Sequence, residues 1–592
     1  MKLKQYIVIP ALTALTLGGV SCKKYLDRTP LDTNTTENFF QNELQVQQAL
    51  TGVYNAFGAR TISPGYNNPT PYYAKMDLYT EIGLERGLNG TIGSGAYNPL
   101  NGSVQELWGS FYQVVQRANT LLFNMARAQA TMTPQAYNRV RAEARVLRGL
   151  AYWHLVVYFG DVPFFMGPLT QDEYSAARRT PKGDIINTVI ADLEDAANSL
   201  DWQPSEPGRV SRGVALGAAA RLAMEARNYA KVISLTDNII ANGGYGLNPV
   251  FENLFRKNGQ TSNVNREIMF YYPFGDNDGG SFNYLNLVQG SRNQGGQSSH
   301  FPTQFLVDLF ECVDGLAIDQ SPLYNPAQPT RNRDPRMKQT VIIPGDTVVV
   351  QGFTSMVFDP INRFLFSFNP TTRVITATST ANQDSANIFG PRLNGGGNLW
   401  RKYVQDRDVN GTAGNLYKVG WVYMRYAEIL LLNAEAKLES GQPAATVAAP
   451  INLVRRRAGM PDVSAATLAN TTALRQLVRR EKTVEFANEG IHMADLRRWD
   501  NGAYANRVMN TQVYGSALSA MSLVAGQGLV YNSPAPTPVF DPTYRVPVTY
   551  PNGDATRLKR ELRVYNPNQH NLCPIPQVEL DRVPTLTQNP NW

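Results

Sequence analysis

Glu481, Glu485 and Glu489 recur at steps of four, which sets three carboxylates on one helical face with Arg480 and Arg497 close in sequence. Paired carboxylates can do acid–base work, and a glycosidase could be built on them. Arginine neighbours lower a carboxyl pKa, however, whereas a general acid needs it raised, so the pattern reads more simply as an ion-pair network joining this helix to others. The four histidines, 154, 300, 492 and 570, are scattered, and His154 lies in an apolar run that suits a hydrogen-bonded core residue. There is no G-x-S-x-G elbow, no H-E-x-x-H pair and no phosphate-binding glycine loop. Asp406, Asp408, Asn410 and Gly411 reproduce the first half of a calcium loop, but Tyr417 stands where a bidentate glutamate is needed. An Asx-rich turn is the simpler reading, with a structural calcium ion as the alternative. Neither a metal site nor a cofactor is otherwise expected, and the chain does not read as an enzyme.

Aromatic residues point elsewhere. Tyr66, Tyr72, Tyr73, Tyr79 and Tyr97 fall in a long Gly-, Asn- and Pro-rich region at 58–103, and Tyr271, Tyr272, Phe282 and Tyr284 in a second one. Rings carried on loops offer flat apolar faces with a polar handle, suited to the C–H faces of sugars. Asp77, Arg86, Asn98 and Asn283 could hydrogen-bond hydroxyl groups. Each aromatic alone reads as a packing residue, but together they form a candidate binding rim. The expected ligand contacts are Tyr66, Asp77, Arg86, Tyr97, Asn98, Tyr272, Phe282 and Tyr284.

The elements that must position this rim are helical. Val140, Ala144, Leu147, Ala151, Leu155 and Tyr158 form one stripe, and Val146, Leu150, Trp153 and Val157 a second. Charges crowd the first half of this helix and vanish from the second, so it is expected to enter the core near Leu150 and to stop at Gly160. Further helices are expected at about 46–57, 104–125, 184–200 and 474–488. Residues 212–227 and 229–241 read as an antiparallel pair of tetratricopeptide type, the first dense in Ala and Gly, and 421–458 repeats the plan with a turn at Gly441-Gln442-Pro443. Pro450 is expected to shorten or break the second helix of that repeat. Between 243 and 420 the helical pattern lapses into loops with a few strands, such as 347–350 and 373–377, and 500–592 is loop-rich.

The composition excludes some partners. Of 592 residues only 17% are charged, against 43% hydrophobic, with 47 Gly and 37 Pro and a net charge of +7. So weak a field, with no basic block beyond Arg455-Arg456-Arg457, argues against nucleic acid. Asn, Gln, Ser and Thr must supply the polar surface, which suits neutral polar ligands. Lys2 and Lys4 precede an apolar run, Ile7 to Val20, and then Ser21-Cys22. This is a secretory leader ending in a bacterial lipobox-like site, with Gly19 in place of the usual leucine, so Cys22 is expected to be lipidated. Cys312 and Cys573 read as coincidental thiols.

Many ordered stretches resemble one family. They are Ser21-Cys22 followed by lysines and Tyr25-Leu26-Asp27, the run Trp108 to Asn119, and Phe159-Gly160-Asp161-Val162-Pro163. Asp314-Gly315, Asn332 to Arg336, Met424 to Glu428, Ala434-Glu435-Ala436 and Asn452 to Gly459 follow. Arg480-Glu481, Glu489-Gly490, Pro574-Ile575-Pro576, Glu579-Leu580 and Gln588-Asn589-Pro590 complete the set. The chain resembles the SusD/RagB family of surface nutrient-binding lipoproteins of Bacteroidota. The resemblance implies a mainly α fold of tetratricopeptide-like helix pairs forming a right-handed scaffold, with long irregular loops and a few short strands. It divides the chain into a signal peptide at 1–21, a lipidated tether at 22–40, a SusD-like helical region at 41–242 and a SusD/RagB-like region at 243–592, the last two forming one intertwined unit. It implies a glycan-binding lipoprotein on the outer face of the outer membrane, which captures nutrient and delivers it to a SusC-like TonB-dependent transporter. RagB-like members are associated with peptide import, so peptide is the rival ligand; a protein-binding repeat scaffold is a third reading. The shared stretches are scaffold. Ligand sites vary among members and neither 58–103 nor 271–284 holds a tryptophan, so the eight site residues are assigned by position.

Overall fold

The computed structural model describes residues 39–58, 60–63, 66–86, 92–261, 265–273, 285–350, 354–386, 390–394, 396–404 and 419–592. The leader, Cys22 and the calcium-like loop lie outside these residues.

Helix α1 (Glu43–Phe57) opens on the Asn42 side chain, which accepts from the Gln45 amide. The short strand β1 (Gly83–Glu85) follows, then α2 (Gly102–Asn124), capped by Asn101, and α3 (Pro134–Phe159). Thr133 caps α3, Pro134 occupies its first turn, and Gly160 ends it at φ 72°, a conformation that favours glycine. Burial of α3 begins at Val140, earlier than the charge pattern suggests. Arg148 is buried because its guanidinium donates to Asn119 Oδ1 (2.8 Å) and Asp192 Oδ2 (3.0 Å), and Arg145 donates to Asp192 Oδ1 at 2.7 Å. Helices α1, α2 and α4 (Lys182–Ala197) and the pair α5 (Arg212–Glu225) and α6 (Tyr229–Asn242) build outward from α3. Small residues along α5 let neighbours approach on every side, and it is buried from Gly213 to Met224.

Strand β2 (Ile268–Tyr272) and β3 (His300–Pro302) come next, then a four-stranded antiparallel meander within 347–381. Strand β4 (Trp421–Arg425) pairs with β2 and runs directly into α7 (Tyr426–Glu439), where the sequence pattern suggested helix from the start. Helix α8 (Ala444–Arg457) completes the second pair and continues through Pro450. The proline forfeits one main-chain hydrogen bond, but Val447, Ile451 and Val454 on its buried face hold the helix together. The two pairs are tied by Arg221 on α5 to Glu428 on α7 (2.6 and 2.7 Å) and by Asn433 to Thr236 at 2.9 Å. Helix α9 (Thr471–Phe486) lies over α7 and α8. The fold is mainly α, with helix pairs as the scaffold and only short strands. The main core runs from Phe40 to Ile575 and a second cluster gathers around Leu306, Trp400 and Trp499. Cys312 and Cys573 are both free and buried. Among the described residues no helix is long and apolar enough to cross a membrane.

Candidate functional site

Glu481 and Glu485 of α9, and Glu489 just beyond the end of that helix, are committed to the scaffold. Glu485 accepts from Arg336 Nη1 (2.8 Å), Arg425 Nη1 (2.7 Å) and Arg457, while Glu489 pairs with Arg425 Nε and Lys402 Nζ, both at 2.8 Å. Burial alone would raise the Glu485 carboxyl, but Arg457, Arg425 and Arg336 outweigh it and hold it well below the usual carboxylate range. A general acid has no place there. The partners are not those nearby in sequence: Arg480 pairs with Glu311, and Arg497 packs on the Tyr158 ring. His154 is a core residue, stacked on Phe111 with its Nε2 2.9 Å from Tyr423 Oη, and burial holds its pKa well below the ordinary value.

The first loop region is tied to 300–302, and its first residue to Tyr272, while 274–284 lie outside the described residues. Strands β1 and β3 pair antiparallel with Glu85 opposite His300, and Tyr272 on β2 lies across Gly58 at the end of α1 so closely that a methyl group there would fall inside the ring. Arg86 extends this seam: its amide donates to Ser299 O at 2.8 Å and its Nη1 to Gln297 O at 2.9 Å. Beside it, residues 291–293 are fastened to Asp384, which accepts from Ser291 Oγ (2.5 Å), the Arg292 amide (2.7 Å) and Asn293 Nδ2 (2.7 Å). Burial pushes the Asp384 carboxyl up to about 6 against these bonds. The result is a polar edge of Arg86, Arg292 and Asn293 held by main-chain and buried carboxylate contacts. Sequence reasoning missed Asp384, whose signal was only an Asn382-Gln383-Asp384 run at the start of a one-turn helix.

The eight expected contacts separate. Asp77 is fully buried and accepts the amides of Glu489 (3.1 Å), Gly490 (2.9 Å) and His492 (3.2 Å), so it caps the scaffold and is withdrawn as a ligand contact. Tyr97 is buried too, its ring 4.7 Å from Trp592 and 5.5 Å from His570, and is likewise withdrawn. Asn98 is exposed and shapes the turn into α2 by accepting from the Leu100 amide at 2.9 Å. Arg86 and Tyr272 are half-buried along the two strand pairings described above. Tyr66 starts a strand paired with Arg60–Ser63; its side chain, together with Phe282 and Tyr284, lies outside the described residues.

The helix pairs form a scaffold that carries a loop-built polar edge, and the acidic cluster beneath α9 is neutralised. A family model described as the SusD family matches residues 248–592, and one described as starch-binding associating with outer membrane matches residues 24–224. The chain belongs to the SusD family, whose members are binding proteins rather than enzymes. SusD-like protein P25 of Formosa agariphila is 27% identical over 322 residues, covering 52% of this chain and 56% of that one. SusD-like protein P2 of the same organism is 23% identical over 508 residues, covering 84% of this chain and 91% of that one. Among solved structures, a SusD-like carbohydrate binding protein from Bacteroides fragilis superposes with a TM-score of 0.74 at 23% identity, covering 93% of this chain and all of that one (100%). A laminarin binding SusD-like protein gives a TM-score of 0.62 at 18% identity, covering 93% of this chain and 100% of that one.

Proposed function

We propose that this protein is a cell-surface glycan-binding lipoprotein, anchored in the outer membrane through Cys22, that captures oligosaccharide and delivers it to a SusC-like TonB-dependent transporter. The observation that carries this reading is the SusD family match over residues 248–592. Relatives named as carbohydrate- and laminarin-binding share the fold, and the neutral polar composition suits a sugar ligand. Capture rests on ring stacking and hydroxyl hydrogen bonds, which need no cofactor. The candidate contacts that remain are Arg86, Asn98 and Tyr272, together with Tyr66, Phe282 and Tyr284. Native gels cast with a panel of polysaccharides test the reading: one glycan retards the protein, and Arg86→Ala with Tyr272→Ala weakens retardation about tenfold, roughly 1.4 kcal/mol. Retardation by none of them, with binding of short peptides instead, overturns the choice of ligand. Cys22→Ala moves the protein from the membrane to the soluble fraction; retention in the membrane refutes the anchor.

A further inference from the structure

A groove of about 520 Å³ runs along the outer face of α2, between the segment 163–177 and the C-terminal residues 579–586. Its size is that of a small-molecule site. The half-buried rings of Tyr112, Phe165 and Tyr174 line it, Tyr112 and Phe165 centred 6.4 Å apart, and buried Trp108 supports Tyr112 at 4.8 Å. Gly109, Gln113 and Gln116 recur along the exposed face of α2 above these rings, and both glutamine side chains reach the groove without a hydrogen bond to any described residue. Among the described residues Glu579 is the one charged side chain lining it, and that carboxylate already accepts from Tyr174 Oη at 2.9 Å.

The walls are held in place beforehand. Tyr112 Oη donates to Pro163 O at 2.7 Å, and Asn119 Nδ2 donates to both Phe165 O and Gly167 O at 3.0 Å. Buried Arg148 in turn orients Asn119, donating to its Oδ1 at 2.8 Å. Rings fixed by such bonds lose little freedom on meeting a ligand. Flat apolar faces, neutral amides at the lip and no unpaired charge match a molecule that carries C–H faces and hydroxyl groups and no charge of its own.

We propose that this groove, although its α2 wall falls in the run Trp108 to Asn119 read from sequence as scaffold, is a second saccharide-binding site, for a short neutral oligosaccharide segment, sharing no residue with the Arg86 edge. The proposal rests on the reading of the chain as glycan-binding and adds a second point of hold. Two modest sites on one polymer raise the overall avidity well above either alone. Gly109 provides the test, because it lines the groove and a Cβ added there meets no atom within 4 Å. Gly109→Trp is expected to obstruct the groove and Gly109→Ala to leave it open; thermal melting checks that both fold.

Calorimetric titration of the full chain in detergent, with neutral hexasaccharides of α-1,4-glucan, β-1,3-glucan, β-1,4-xylan and β-1,4-mannan, gives two sites per chain for the sugar that binds. Gly109→Trp removes one, Gly109→Ala removes neither, and Gln113→Ala with Gln116→Ala weakens that same site several-fold. Unchanged stoichiometry and affinity in Gly109→Trp overturn the groove while leaving glycan binding intact. Binding by none of the four sugars overturns the groove and its parent reading together. A crystal structure with residues 22–38 laid along the groove assigns it to the chain's own tether and overturns the proposal.

Discussion

Two polar regions of this protein are built on opposite plans. Beneath α9, Arg336, Arg425, Arg455, Arg457 and Lys402 meet Glu267, Glu481, Glu485 and Glu489 with almost no exposure, and every charge faces an opposite one. Along α2 the groove is open and lined by rings and carboxamides, with a single, already bonded carboxylate. A chain with few charges has placed many of them where they satisfy one another and has left a neutral surface where a ligand can reach. The density of ionisable groups is therefore a poor guide to function here. The dense cluster is structure, and the sparse groove is where we propose a ligand is held.

The buried side of this contrast is the easier to break. Arg425→Ala removes the buried cation shared by Glu267, Glu485 and Glu489, leaving excess negative charge in the interior, and is expected to cost about 3–5 kcal/mol, read as loss of soluble protein or a large fall in Tm. A melting curve like that of the wild type would show that the network contributes little. Asp384, at the boundary between core and edge, is expected to give a pH signature. Its folded pKa is raised to about 6 from 3.8, so the folded state binds the proton more tightly than the unfolded chain. That contribution is fully present below about pH 4 and is lost as pH rises through about 6, a change of roughly 2–3 kcal/mol. Denaturant unfolding of Asp384→Asn beside the wild type across this window checks it, and parallel pH profiles would refute it.

Asp77→Ala leaves the buried amides of Gly490 and His492 without their acceptor, while that of Glu489 keeps Phe486 O, and is expected to cost about 1–3 kcal/mol while glycan retardation of the folded fraction stays the same. Reduced retardation at unchanged stability would return Asp77 to the ligand site. On the open side, Gly109→Ala is expected to raise stability by about 0.8–1 kcal/mol, because α2 exchanges its least favourable interior residue for the best one in unobstructed space. A loss of stability would mean that the helix face is covered.

The helices were legible because their signals are local. The stripes of α3, its Thr133-Pro134 start and its Gly160 stop all lie within one short stretch, and helical period and capping act over a few residues. The motif order that assigns the family is likewise a property of the chain alone. Tertiary structure decided which polar residues remain available. Asp77 resembles a loop residue able to meet a hydroxyl until it is seen to bind the amide of Gly490, 413 residues away. Arg148 resembles a solvated charge until Asn119 and Asp192 surround it. The groove along α2 depends on residues 579–586 folding back beside 163–177. Burial and neutralisation are set by neighbours distant in sequence, and no local pattern encodes which of them arrive.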